Sequence, residues 1–251
     1  MVRETFGKHY IGMNKEFRFR GEEPGRLENF SDAVFALAIT LLLISTSAPS
    51  NFDQIKKFVW ELIPFCACMV LIVLIWHEHF VFYYRYGFRN TKVVVLNTLF
   101  LIIVMFYVYP LKFLCKLLLL YPLALAFNQE NILIELSQMA KPADTAQLMT
   151  IYGIGAASIF LVLMLMYRYA LKNSHLLQLN KIEAFDTHAS MTSNLLMATV
   201  PLLSVVIAFL FRNSPWAGLI SGVTYFLYMP IMFIYNFRRG KRRKKILIET
   251  L

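Results

Sequence analysis

A His-Glu-His run at residues 77–79 is the first place in this sequence where side chains of a reactive type stand close together. Zinc is the obvious chemistry for two imidazoles and a carboxylate. Residues two apart on a helix point in different directions, however, so His77 and His79 do not share one metal. Cys66, Cys68 and Cys115 lie in apolar surroundings without a pairing framework and read as packing residues. The sequence has no GxSxG, no HExxH, no Walker loop and no paired membrane aspartates, so it is not read as an enzyme and no cofactor or metal is expected. The remaining ionisable group of interest is Asp32, inside the apolar stretch RLENFSDAVFALAITLLLI at 26–44. An acid held near membrane depth is costly, and such groups are usually paired and functional. A plainer role stays open, in which Asn29, Ser31 or Asp32 accepts hydrogen bonds from free backbone N–H groups and caps the helix start.

The elements that must position these groups are membrane helices. A chain of 251 residues with 58% hydrophobic residues, 16% charged residues and 22 Phe is not an ordinary soluble domain. Six apolar segments, near 28–48, 59–84, 93–112, 148–170, 189–211 and 216–237, are long enough to cross about 30 Å of hydrocarbon, which needs roughly 20 helical residues each. Strands with open edges cannot satisfy their backbone groups in lipid, which makes an all-α polytopic membrane protein the expected fold class. Residues 1–25 lack an apolar core with a cleavage site and read as a cytosolic N-terminal segment, followed by a six-helix domain over 26–237 and a cytosolic basic tail over 238–251.

Loop charges set the orientation. With the N-terminus inside, nineteen Lys and Arg fall on the cytosolic side, among them Arg3, Lys8, Lys15, Arg85 and the seven of the tail. Six fall outside: Lys56, Lys57, Lys112, Lys116, Lys141 and Arg212. That asymmetry predicts a multi-pass protein of the cell (inner) membrane with both termini cytosolic. It also accounts for the net charge of +10 without nucleic acid, since a basic run beside a membrane touches anionic lipid headgroups. Lys112 and Lys116, four apart after Pro110, suggest a piece lying along the outer interface, and 128–147 forms the sizeable polar outer loop. Gly153, Gly155, Gly218 and Gly222 permit close helix packing, within a subunit or between subunits, and Pro201 predicts a kink.

At about 100° per residue, Arg26, Phe30, Ala33, Leu37, Thr40 and Ile44 fall on one stripe of the first helix, with Leu41 beside it and Asp32 nearly opposite. Arg26, Phe30, Ser31, Asp32 and Phe35 also reproduce RxxxFSDxxF, and through these residues the chain resembles the transmembrane protein 175 potassium channels, an endosomal and lysosomal family with smaller bacterial relatives. Trp76 and His77, Asn97 with its following leucines, and Pro110 look like further landmarks of the bacterial branch, so the resemblance spans about the first 110 residues.

The resemblance implies a potassium channel built as a homotetramer, because a single first helix cannot surround a pore and a closed ring is the usual solution. No TVGYG filter is present, so ions would pass a side-chain constriction formed by Leu37, Thr40, Leu41 and Ile44, with Leu37 narrowest and potassium as the permeant ion. It further implies that His77 is the buried histidine, forming with Trp76, Arg26 and Asp32, and with Asn97 able to join, a polar cluster that locks the first helix in place. The competing class is a cation-coupled secondary transporter in which Asp32 and His77 bind the coupling ion.

Overall fold

The computed structural model describes residues 17–44, 50–139, 144–214 and 216–250; the expectations on Arg3, Lys8, Lys15, Lys141 and the end of the first span at 45–48 lie outside the described residues. Six helices are long and apolar enough to cross a membrane, and no strand occurs among the described residues. They are α1 (Arg26–Ile44), α2 (Phe52–Tyr86), α3 (Thr91–Cys115), α6 (Thr145–Lys172), α7 (Lys181–Leu210) and the sixth span that ends in α9 (Tyr228–Thr250). Shorter helices α4 (Tyr121–Ala126), α5 (Glu130–Met139) and α8 (Ala217–Val223) lie between them.

Side-chain caps fix several of the starts. Asn51 accepts from the Gln54 N–H at 2.9 Å, and Asn90 accepts from the Val93 N–H at 3.1 Å. Asn180 and Glu183 form a reciprocal capping box at the head of α7. α2 ends at Gly87 in the left-handed conformation, φ 57°, where any Cβ would be strained and would also press on the Arg20 carbonyl.

The helices sort into two packed groups that share one core. α1 lies on α3 and α2, while α6 and α7 form the most extensive pair and reach the first group through α3. Phe35 and Leu42 from α1, Ile72, Phe82 and Tyr83 from α2, Phe100 from α3, and Leu163 and Tyr167 from α6 are all buried in this core. Gly153 lets α6 and α7 approach: a Cβ there would sit 2.8 Å from the Pro201 carbonyl oxygen and strike Val205. Gly155 receives the Tyr107 ring in the same way. The two sixth-span glycines behave differently from each other, since Gly218 packs on Thr145 whereas Gly222 has open space. α7 itself continues unbroken through Pro201.

Three parts of the chain depart from the sequence expectation. The piece after Pro110 does not begin a separate surface helix; α3 runs on through a π-turn at Lys116–Leu120 into α4. Its Lys116 makes ion pairs to Glu61 at 3.1 Å and Glu135 at 2.8 Å, while Lys57 reaches Glu135 at 2.7 Å. The outer loop is therefore partly the helix α5, clasped to α2 and α3 by Glu135. Burial works against the charged form of that carboxyl, but hydrogen bonds from Lys116 and Lys57 outweigh it and hold Glu135 below the usual carboxylate range.

The ends of the chain are the other two departures. Phe17 is buried against Tyr86, and the Gly21 N–H donates to the Tyr84 carbonyl at 3.1 Å, so the end of the N-terminal segment is part of the core. The basic tail does not leave the bundle either. α9 runs through residue 237 to Thr250, and Arg243 pairs with the buried Asp186 at 3.1 Å.

Candidate ion pathway and the brace behind it

The first helix has two unlike faces. Ser31, Phe35, Ala38 and Leu42, at three- and four-residue spacing, are buried against α2 and α3. The opposite stripe is open: Phe30 is 61% exposed, Leu37 50% and Ile44 70%, with Arg26, Ala33 and Thr40 exposed and Leu41 half-buried beside them. So the buried face, and not Asp32, lies across the helix from the apolar stripe. Asp32 sits between the two faces and is itself exposed.

None of the three candidate caps acts as one among the described residues. Ser31 Oγ donates back to the Leu27 carbonyl at 2.8 Å and accepts from Asn97 Nδ2 at 2.9 Å. Asn97 Oδ1 in turn lies 2.7 Å from His79 Nε2. All three side chains are buried, and the His79 ring stacks on Phe100 with an interplanar angle of 6°. A buried polar group without a partner costs more than the bond it forgoes, so this three-member line fixes both the rotation and the height of α1 against α2 and α3.

A second tie runs alongside. Trp76 Nε1 donates to Asp32 Oδ1 at 2.7 Å, and the Trp76 ring stacks on Phe80.

The buried histidine is therefore His79, which corrects the expectation for His77. His77 is half-buried on another face of α2. The signal was in the spacing: Cys68, Ile72, His79, Tyr83 and Tyr86 recur at helical intervals along the buried face of α2, a line that includes His79 and misses His77. Arg26 is exposed at the start of α1 and makes no hydrogen bond or ion pair among the described residues, so it does not join the cluster. Nor do the described residues contain a group of three or more His, Cys, Asp or Glu placed to hold a metal ion.

A larger polar assembly stands at the N-terminal end of α7. Glu183 is fully buried and receives Arg18 at 2.9 Å and Arg20 at 3.0 Å. Three residues on, Asp186 takes Arg239 at 3.7 Å and Arg243 at 3.1 Å. Arg85, counted in the sequence among the basic residues of a loop, is buried, donates to Ser190 at 2.9 Å and faces the Phe17 ring. The first turns of α7 thus hold both ends of the chain.

The sequence model of the family described as the endosomal/lysosomal potassium channel TMEM175 matches residues 26–107, which span α1, α2 and most of α3. A potassium channel from Marivirga tractuosa is 41% identical over 241 residues, covering 94% of this chain and 96% of its own length. The chain belongs to the TMEM175 potassium channel family. Among solved structures, the potassium channel MtTMEM175, as a T38A variant bound to a nanobody–MBP fusion, superposes with a TM-score of 0.80 at 41% identity, over 92% of this chain and 100% of that one. A lysosomal potassium-selective channel TMEM175 homologue from Chamaesiphon minutus, 19% identical, shares the fold with a TM-score of 0.52 over 86% of this chain and 97% of its own. The TMEM175 family consists of ion channels and not enzymes, and the six spans make this member a multi-pass membrane protein. The full-length relatives match 94% and 92% of this chain, so the likeness extends well beyond residues 26–107.

Proposed function

We propose that this chain conducts potassium as one subunit of a homotetramer in the cell membrane, with both termini cytosolic and the stripe of Leu37, Thr40, Leu41 and Ile44 lining a central path. The observation that carries the reading is the open apolar face of α1: Leu37 and Ile44 are half or more exposed on a helix whose other face is locked by Ser31, Asn97 and His79. Four such helices around an axis bring the stripes together and bury what one subunit leaves open. Leu37 forms the narrowest ring, and an apolar ring of that kind closes by dewetting without a plug.

Where ions do pass they shed water, which potassium gives up more readily than sodium, so a modest potassium preference follows. Thr40 suits this role. Its hydroxyl donates to the Ala36 carbonyl at 2.9 Å, which turns its oxygen lone pairs outward to replace part of a hydration shell. Asp32 and Trp76 act as a positioning pair, and the basic residues of α9 rest against anionic lipid at the inner face.

The test is Leu37→Ala in potassium-loaded liposomes. Because Leu37 is exposed in the subunit, the change should cost under about 0.5 kcal/mol of fold stability, while potassium flux rises and the preference over sodium falls. Unchanged flux with unchanged preference refutes the constriction. Flux that saturates with the gradient instead of rising linearly would favour the transporter class.

A further inference from the structure

The helices α7 and α9 enclose two clefts. One, of about 240 Å³, lies toward the basic end and is lined by His188, Thr192, Tyr235, Arg238, Arg239 and Arg242. The other, of about 390 Å³, is open and apolar and lined by Thr199, Val200, Leu202, Leu203, Val206 and Ile231. On α7 the successive lining residues 188, 192, 199, 203 and 206 keep three-, four- and seven-residue steps, so both clefts open on one face of the same helix. About thirteen residues separate their centres on α7, which at roughly 1.5 Å per residue is about 20 Å.

Charge argues for an anion in the first cleft. Three guanidinium groups share it, and only Arg239 has a carboxylate within ion-pair distance among the described residues, Asp186 at 3.7 Å. Asp186 is already committed to Arg243 at 3.1 Å. Arg238 and Arg242, one turn apart and exposed, face the cleft without a counter-charge. The planar guanidinium fork matches phosphate oxygens two at a time. Shape argues for a lipid over a soluble phosphate: an apolar depression lies on the same face of α7, about 20 Å further along the span, a distance that suits an acyl chain hanging from a headgroup.

We infer that the α7–α9 face is a binding site for one anionic phospholipid, its phosphate held by Arg238 and Arg242 with His188 and Thr192, and one acyl chain laid in the Thr199–Val206 groove. The inference rests on the reading that the basic end of the bundle meets the inner leaflet. A site of this geometry is more than a polybasic surface, because it distinguishes the arginines of the cleft from the lysines beyond it.

The experiment is retention of phosphatidylglycerol, with phosphatidylcholine as the neutral control, by the purified full-length protein in native mass spectrometry. Arg238→Gln with Arg242→Gln should lower phosphatidylglycerol retention by about tenfold, the loss of two charge-assisted contacts. Lys244→Gln with Lys245→Gln removes the same charge outside the cleft and should change retention less than about twofold. Val206→Trp fills the groove and should lower retention with every arginine intact. Equal losses in the two charge variants overturn the site in favour of diffuse attraction. Displacement of the lipid by millimolar inorganic phosphate together with no effect of Val206→Trp overturns it in favour of a soluble anion. Orientation is read separately by an impermeant maleimide on Lys245→Cys in sealed cells: labelling from outside overturns the inner-leaflet reading, whatever the cleft retains.

Discussion

Replacing Asn97, on α3, by Leu should loosen the seat of α1. The volume is nearly kept, so cavity terms are small and the polar terms decide. The substitution removes both hydrogen bonds of a fully buried side chain, to Ser31 at 2.9 Å and to His79 at 2.7 Å. Ser31 still donates to the Leu27 carbonyl, so it loses one neutral contact, about 0.5–1.5 kcal/mol. His79, 1% exposed, is left with an unpaired ring nitrogen at about 1–3 kcal/mol. The expected sum is about 1.5–4.5 kcal/mol, above the roughly 0.6 kcal/mol average of hydrogen bonds between membrane helices. The difference lies in the orphaned imidazole.

The assay is reversible unfolding in mixed micelles followed by circular dichroism, run as a double-mutant cycle. Asn97→Leu with Ser31→Ala should be less than additive, since both remove the same bond. Asn97→Leu with His79→Phe should regain most of the loss, because the phenyl ring keeps the stack on Phe100 and leaves nothing unpaired. A single Asn97→Leu within about 0.5 kcal/mol of the parent, or a His79→Phe partner that adds to the damage, would refute the brace.

Trp76→Phe keeps the ring on Phe80 but removes the donor to Asp32; it should cost about 1 kcal/mol and lower recovery of the proposed tetramer in mild detergent, measured by size-exclusion light scattering. Gly153→Val places a side chain against the Pro201 carbonyl and should destabilise by about 1–3 kcal/mol, whereas Gly222→Val, in open space, should leave the melting temperature near that of the parent. Because the Glu135 carboxyl is held below the usual range, its contribution is present above that range and fades as pH falls through it. Hydrogen exchange in α5 should therefore accelerate on acidification, and Glu135→Gln should remove that pH dependence.

The six spans and the two-faced character of α1 could be read from hydropathy and helical spacing, because lipid demands long apolar helices and a buried face recurs at intervals of three and four. The choice between His77 and His79 was legible too, though only by extending the spacing from Cys68 and Ile72 to Tyr83 and Tyr86 instead of stopping at the local triplet. The clasp at the head of α7 was not. Glu183 and Asp186 look like the solvated first turn of a helix, and their partners Arg18, Arg20, Arg239 and Arg243 lie far away in the chain. Loop charges bear on the expected side of the membrane and say nothing about which acid each one meets. Asp32 has Trp76 as its partner but stands between the two faces of α1, because the buried face, set by Ser31, Phe35, Ala38 and Leu42, takes the side opposite the stripe.

Fastening residues 17–21 to α2 and α7 has a mechanical corollary for α1. Only residues 22–25 join that anchor to Arg26, so Gly21 and Arg26 stand at most about 17 Å apart when the five steps between them are fully drawn out at about 3.5 Å each. Piston-like travel along the helix axis is checked by so short a leash. Movement of α1 is then a swivel about its N-terminal end, largest at Ile44 and smallest at Arg26, and under the proposed pathway that swivel is what would widen the constriction.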